Sequence, residues 1–173
     1  MMTVDLIQSM FEYHYARLRQ VWDSIMALDE ERFFDDVPYS LGSLRNHMMH
    51  LIDDDIGWIS LVEGKDRPPQ LSPENFTSRD DVRRKYDETE KHILSVINGI
   101  DKDRLQQIFV WKPPFAQEKQ YVTGEQILIH VVNHGTDHRA QVLRVLHDFG
   151  ATTFDQDVMG YWYRTGRLIA KKY

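Results

Sequence analysis

The sequence predicts an all-α protein: an antiparallel four-helix bundle with a long connection before its fourth helix and a short C-terminal helix. Four segments repeat apolar side chains at spacings of three and four, the period of a helix with one buried face. Each segment is bounded by capping or helix-breaking residues. The composition agrees, since 42% hydrophobic and 28% charged residues with only 9 Gly and 6 Pro suit a soluble, mostly helical chain. Amphipathic helices of such length bury their faces most simply against one another.

The first helix is expected from about Thr3, a natural N-cap, to about Leu28, with Ile7, Met10, Phe11, Leu18, Val21, Trp22 and Ile25 facing inward. The second follows Ser43 and ends at Gly64, after which Pro68 and Pro69 forbid continuation. Its apolar face is Leu44, Met48, Leu51, Trp58, Ile59 and Val62. The third starts near Ser78, packs through Val82, Tyr86, Ile93, Ile97 and Ile100, and stops at Asn98-Gly99 or shortly after. Between Leu105 and Val122, β-branched and aromatic residues surround Pro113-Pro114, the texture of a long connection holding a small hairpin. Thr123 and Gln126 form the capping-box pattern that opens the fourth helix, and Gly150 closes it. A last helix is expected from about Asp155 to Ala170, with Val158, Tyr161, Trp162 and Leu168 as its packing residues. The chain shows no internal repeat. Its 173 residues form one expected domain, 1–173, large enough to bury a core without disulfides or a structural metal.

Charge and composition narrow the function. A formal charge of −6 leaves no general basic field for phosphate backbones, which argues against direct nucleic-acid binding. Cysteine is absent, so disulfide scaffolds, zinc-thiolate fingers and a protein-borne thiol nucleophile are excluded. No apolar run approaches the roughly 18 residues of a membrane span, and acidic and polar residues interrupt the first segment. The expected location is the cytoplasm, away from membranes.

The chemistry lies in the histidines. His130, His134 and His138 recur every four residues, a step that rotates a helix by about 40° and keeps side chains on one face. On a wheel set to zero at Ile127, Val131, Val142, Val145 and Phe149 fall within about 60°, His134 and His138 near −20° and +20°, and His130 near −60°. His134 and His138 are therefore expected to point inward, where both could bind one divalent cation. Three protein ligands are usual for a catalytic site, and the second helix offers His47 or His50 as the third. The wheel places His47 slightly nearer the apolar face, and periodicity leaves the choice open.

The segment GSLRNHMMHLIDDDIGWI, followed by ILIHVVNHGTDHRAQVLRVL, resembles the DinB/YfiT-like metalloenzyme superfamily. The resemblance spans nearly the whole chain in helix order. It implies His50, ahead of Leu51 and Trp58, as the helix-two ligand, with His134 and His138 as the H-x-x-x-H pair before Arg139 and Gln141. Asp137 stands where many members carry another histidine, and Ala140 replaces a frequent glycine. The other histidines are read as structural or exposed: His14 as a core or boundary residue able to approach the site, His92 and His147 as surface residues, and His130 as a residue at the edge of the apolar face, with support of a ligand as the alternative, one that the resemblance does not require. The run Asp53-Asp54-Asp55 is read as a solvated face, with orientation of an imidazole as the alternative.

A site of three neutral imidazoles leaves a bound zinc or nickel ion its full charge and so lowers the pKa of a group in the open position. The resemblance implies a transferase that activates a low-molecular-weight thiol such as glutathione, mycothiol or bacillithiol toward an electrophile, and it implies a homodimer. The alternatives are a metal-dependent hydrolase using hydroxide and a non-enzymatic stress-response binding module. A di-iron carboxylate site is disfavoured because no histidine has glutamate three residues before it.

Overall fold

Thr3, Ser43, Ser78 and Thr123 each cap a long helix, their hydroxyls accepting backbone N–H groups of the first turn. The computed structural model describes residues 2–112 and 117–168. Among these, the long helices are α1 (Val4–Met26), α3 (Leu44–Glu63), α4 (Arg79–Asn98) and α6 (Gly124–Asp148). Short helices α2 (Glu30–Phe34) and α5 (Lys102–Gln106) lie in the connections, and α7 (Val158–Arg164) ends the described chain. The expected hairpin is present as β1 (Ile108–Trp111) paired antiparallel with β2 (Gln120–Thr123), while Pro113, Pro114 and Ala170 lie outside the described residues.

The capping box at α6 closes as predicted, Thr123 and Gln126 exchanging hydrogen bonds. Gly64 stops α3 in the left-handed conformation, φ 77°, that favours glycine. The two five-residue helices were not anticipated; each spans barely more than one turn, too short to show an apolar period.

Around the bundle, α1 touches α4 and α6, and α3 touches the same two. Direction follows from the pairings. His14 meets Arg139 and Met2 meets Glu125, so α1 and α6 run together. Arg19 meets Glu90 while Gln8 reaches the carbonyl of Ile97, so α4 runs against α1. Asp54 meets His134 and His50 meets His138, so α3 runs against α6. The order is up, down, down, up, and the link from α3 to α4 must return along the bundle. Asp53 pins that link by accepting from Arg67 at 2.6 Å and from the Leu71 amide at 2.9 Å.

The core holds most of the apolar faces read from the sequence, but Met10 and the α7 residues Val158, Tyr161 and Trp162 are only partly buried. Trp58 is only half-buried, and Leu168 is exposed because it lies beyond the turn that ends α7. No helix among the described residues is long and apolar enough to cross a membrane.

Candidate metal centre

Facing rows of side chains line the seam between α3 and α6. Four-residue steps put His50, Asp54 and Trp58 on one edge of α3, and His138, His134 and His130 on the facing edge of α6. Because the helices are antiparallel, His50 pairs with His138, Asp54 with His134 and Trp58 with His130.

The expected inward direction of His134 and His138 needs correction. The buried face of α6 is Gly124, Ile127, Leu128, Val131, Val132, Gly135, Arg139, Val142, Val145 and Leu146, and both histidines are half-buried at its margin. On the same wheel this face is centred near +70°, because Leu128, Val132 and Arg139 lie near +100° to +140° and extend the core to that side. The histidines thus stand at the margin of the core, each partly exposed to solvent. His130 lies further out and is exposed.

His47 and His50 separate cleanly. His47 is fully buried and bonds the Ser43 carbonyl through Nδ1 at 2.7 Å, so it is a core residue outside the site. His50, a turn further, is half-buried and puts its Nε2 3.2 Å from the His138 Nε2. Each of His50, His134 and His138 offers one ring nitrogen, and these nitrogens lie within 4.8 Å of one another. Metal–nitrogen bonds of about 2.0–2.1 Å put neighbouring ligand atoms about 2.9–3.4 Å apart, so the closest pair is already at ligand spacing.

Electrostatics suits the same use. Burial pulls the His138 imidazole down to about 4, and the neighbouring His134 and His50 add to the effect. Burial also lowers His134, against the opposing pull of Asp54. Both rings are therefore neutral at neutral pH and keep a lone pair for a cation. Behind them, Nδ1 of His134 and Nδ1 of His138 are buried without a hydrogen-bond partner among the described residues, so none of these supplies either ring with the carboxylate or carbonyl common behind metal ligands.

The acidic run is not a solvated face. Asp53 is buried under the returning link, Asp55 is buried in the core, and Asp54 is half-buried in the seam. Asp54 Oδ2 lies 3.4 Å from His50 Nε2 and 3.3 Å from His134 Nε2, on the side that would face a cation rather than behind the rings. Arg67 holds its other oxygen at 3.3 Å.

A buried polar chain backs this constellation. Arg139, 0% exposed, donates to His14 Nδ1 at 2.7 Å, to Thr136 Oγ1 at 2.8 Å and to Gln156 Oε1 at 2.8 Å. His14 Nε2 then lies 3.4 Å from Asp55 Oδ2, which also accepts the Tyr15 hydroxyl at 3.0 Å. Burial is the main cause that lowers His14, so it stays neutral, with its Nε2–H toward Asp55. Each end of the chain adjoins the seam in sequence, Arg139 following His138 and Asp55 following Asp54. His14 therefore approaches the site without entering it. His92 and His147 are exposed, His92 pairing with Glu63 at 3.0 Å.

Beyond His134 the seam becomes aromatic. The Trp58 ring lies 4.7 Å from His130 and 5.2 Å from Trp111 of β1, centroid to centroid, and His130 lies 5.6 Å from His134.

Comparison with known proteins agrees with this architecture. The model of the DinB family matches residues 1–170. Protein DinB of Bacillus subtilis (strain 168) is 22% identical over 166 residues, covering 93% of this chain and 96% of that protein. The crystal structure of a DinB family member protein from Shewanella denitrificans aligns with a TM-score of 0.57 at 15% identity, over 91% of this chain and 89% of that one. At that identity the structural likeness speaks for the fold alone.

Proposed function

The chain belongs to the DinB family, and from that premise we propose that it holds one divalent transition metal, zinc or nickel, on His50, His134 and His138 and transfers a low-molecular-weight thiol to an electrophile. The observation that carries this reading is the convergence of three ring nitrogens from two helices within 4.8 Å of one another, on side chains that are each half-buried. Three neutral donors fit a divalent cation without cancelling its charge. When bound, such an ion supplies Lewis acidity that lowers the pKa of a thiol or water in its open position.

The remaining chemistry belongs to the chain. Asp54 Oδ2, beside His50 and His134, is the nearest carboxylate able to take the proton released by the incoming thiol. The sulfur–carbon bond forms at the electrophile, whose leaving group departs with the bonding electron pair, and the carboxylate returns its proton to solvent. Arg67 holds Asp54 from its other oxygen, which keeps the carboxylate turned into the seam. The half-buried position of all four groups admits a small molecule from solvent.

Hydrolysis is the second reading, favoured by the same carboxylate, since Asp54 is equally placed to accept a proton from water. One assay separates the two. Zinc- or nickel-loaded protein is incubated with an electrophile, with and without glutathione or bacillithiol. Consumption only with thiol is expected. Consumption without thiol transfers the reading to the hydrolase, and a protein purified without metal that takes up none on dialysis overturns both.

A further inference from the structure

Three groups at the candidate centre are each followed in sequence by a residue that faces the same ring, His14 of α1. Gly135 follows His134, Arg139 follows His138 and Asp55 follows Asp54. We propose that His14 is a positioning residue, which sets where α3 and α6 stand at the centre while offering a cation no nitrogen of its own. The inference rests on the metal reading above and adds what holds its geometry.

The contacts are close and directional. Arg139 donates to Nδ1 at 2.7 Å, which leaves the ring proton on Nε2, and Nε2 faces Asp55 Oδ2 at 3.4 Å. Both nitrogens are thereby taken. At Gly135 the ring occupies the space of a side chain, since a Cβ there would lie 2.1 Å from His14 Cε1. His14, Arg139 and Asp55 are all buried, and their outer bonds keep them from swinging away. Thr136 and Gln156 each accept from Arg139 at 2.8 Å, and the Tyr15 hydroxyl donates to Asp55 at 3.0 Å.

Helix geometry carries this grip to the seam. Successive residues on a helix point about 100° apart, so a side chain fixed in the core fixes the direction of its neighbour on the wall. With side chains about 5–6 Å from the axis, a rotation of about 10° moves a ring nitrogen by about 1 Å. Metal–ligand distances tolerate about 0.2 Å. Apolar packing is non-directional, whereas the bonds to His14 have a fixed direction and tie α6 and α3 to one ring. The metal-facing rings have no such bond behind them, because Nδ1 of His134 and of His138 lacks a hydrogen-bond partner among the described residues. Their placement therefore comes from the helices that carry them.

The test measures zinc affinity by competition with a chromophoric chelator, and the visible band of the cobalt-loaded protein, whose intensity follows ligand geometry. Wild type is compared with His14→Ala, His14→Gln and His47→Ala, the last a buried imidazole outside the site that controls for loss of stability alone. His14→Ala should weaken zinc binding about 10–100-fold and alter the cobalt band. Glutamine can accept from Arg139 and donate to Asp55, so His14→Gln should recover most of both, and His47→Ala should change neither. Wild-type affinity in His14→Ala, or a loss that glutamine does not recover or that His47→Ala shares, overturns the inference and leaves the metal reading intact. A wild-type protein that takes up no zinc overturns both together. If His14→Ala fails to fold, as circular dichroism would show, Asp55→Asn replaces it, and unchanged affinity there overturns the inference.

Discussion

The Nε2 atoms of His50 and His138 lie 3.2 Å apart across 88 residues of chain. With His134 neutral beside them and Asp54 across from it, the arrangement gathers ring nitrogens that a single cation is able to bridge. Nitrogens so placed on two helices face each other across α3 and α6, so a cation bound there would link its own binding to the stability of the fold.

Elemental analysis should find about one metal ion per chain in the native protein and none in His50→Ala or His138→Ala. His47→Ala is the informative control, because the residue lies only three positions from His50. It should keep its metal yet lose about 1–3 kcal/mol of stability, since His47 packs in the core and bonds Ser43. Loss of metal from the His47 variant at unchanged stability would contradict the assignment.

Asp54→Asn preserves shape but removes the charge that faces two ring nitrogens. Metal affinity or thiol-dependent turnover should fall about 10–100-fold, and the circular dichroism spectrum should not change. Equal activity in wild type and variant would show that the carboxylate is only a partner of Arg67.

The metal-free protein should lose stability on acidification. Burial is the leading cause that lowers His14, His47, His134 and His138 below their usual value of 6.5. Below that value the unfolded chain takes up protons that the native state resists. Stability is therefore fully present above about pH 6.5 and declines as pH falls, continuing toward the His138 value of about 4. Urea midpoints measured in chelator at about pH 7.5 and 5.5 should show the drop. Midpoints that stay flat, or rise, would mean that these imidazoles are not held neutral by the fold.

Much of this was legible in the residues. Thr3, Ser43, Ser78 and Thr123 announce the long helices because capping chemistry is local, and Gly64 ends α3 for the same reason. The spacing of His134 and His138 shows a shared face, since i and i+4 neighbours need no tertiary information. What the wheel misjudged was the centre of the buried face. Leu128 and Leu146 pull it one way, and an arginine, Arg139, occupies it, which no apolar count anticipates. The choice between His47 and His50 turned on how α3 rotates against α6, a matter of tertiary packing. Asp53, Asp54 and Asp55 look alike in sequence, yet the return of the chain, the seam and the core give each a different partner.

Gly135→Ala sets a general rule against a local one. In a helix interior, alanine for glycine normally stabilises by about 0.5–1 kcal/mol. Here a Cβ would fall 2.1 Å from His14 Cε1 and 2.7 Å from its Nδ1, inside contact distance of a side chain that cannot retreat. Arg139 holds one nitrogen of that ring and Asp55 faces the other. The variant should therefore be destabilised by about 1–3 kcal/mol. The strain should also move α6, so metal affinity falls although no candidate ligand is altered. Adding His14→Ala removes the clash, so the double variant should be more stable than the sum of the two single effects predicts. Additive effects, or a Gly135 variant more stable than wild type, would show that His14 does not press against α6 as described.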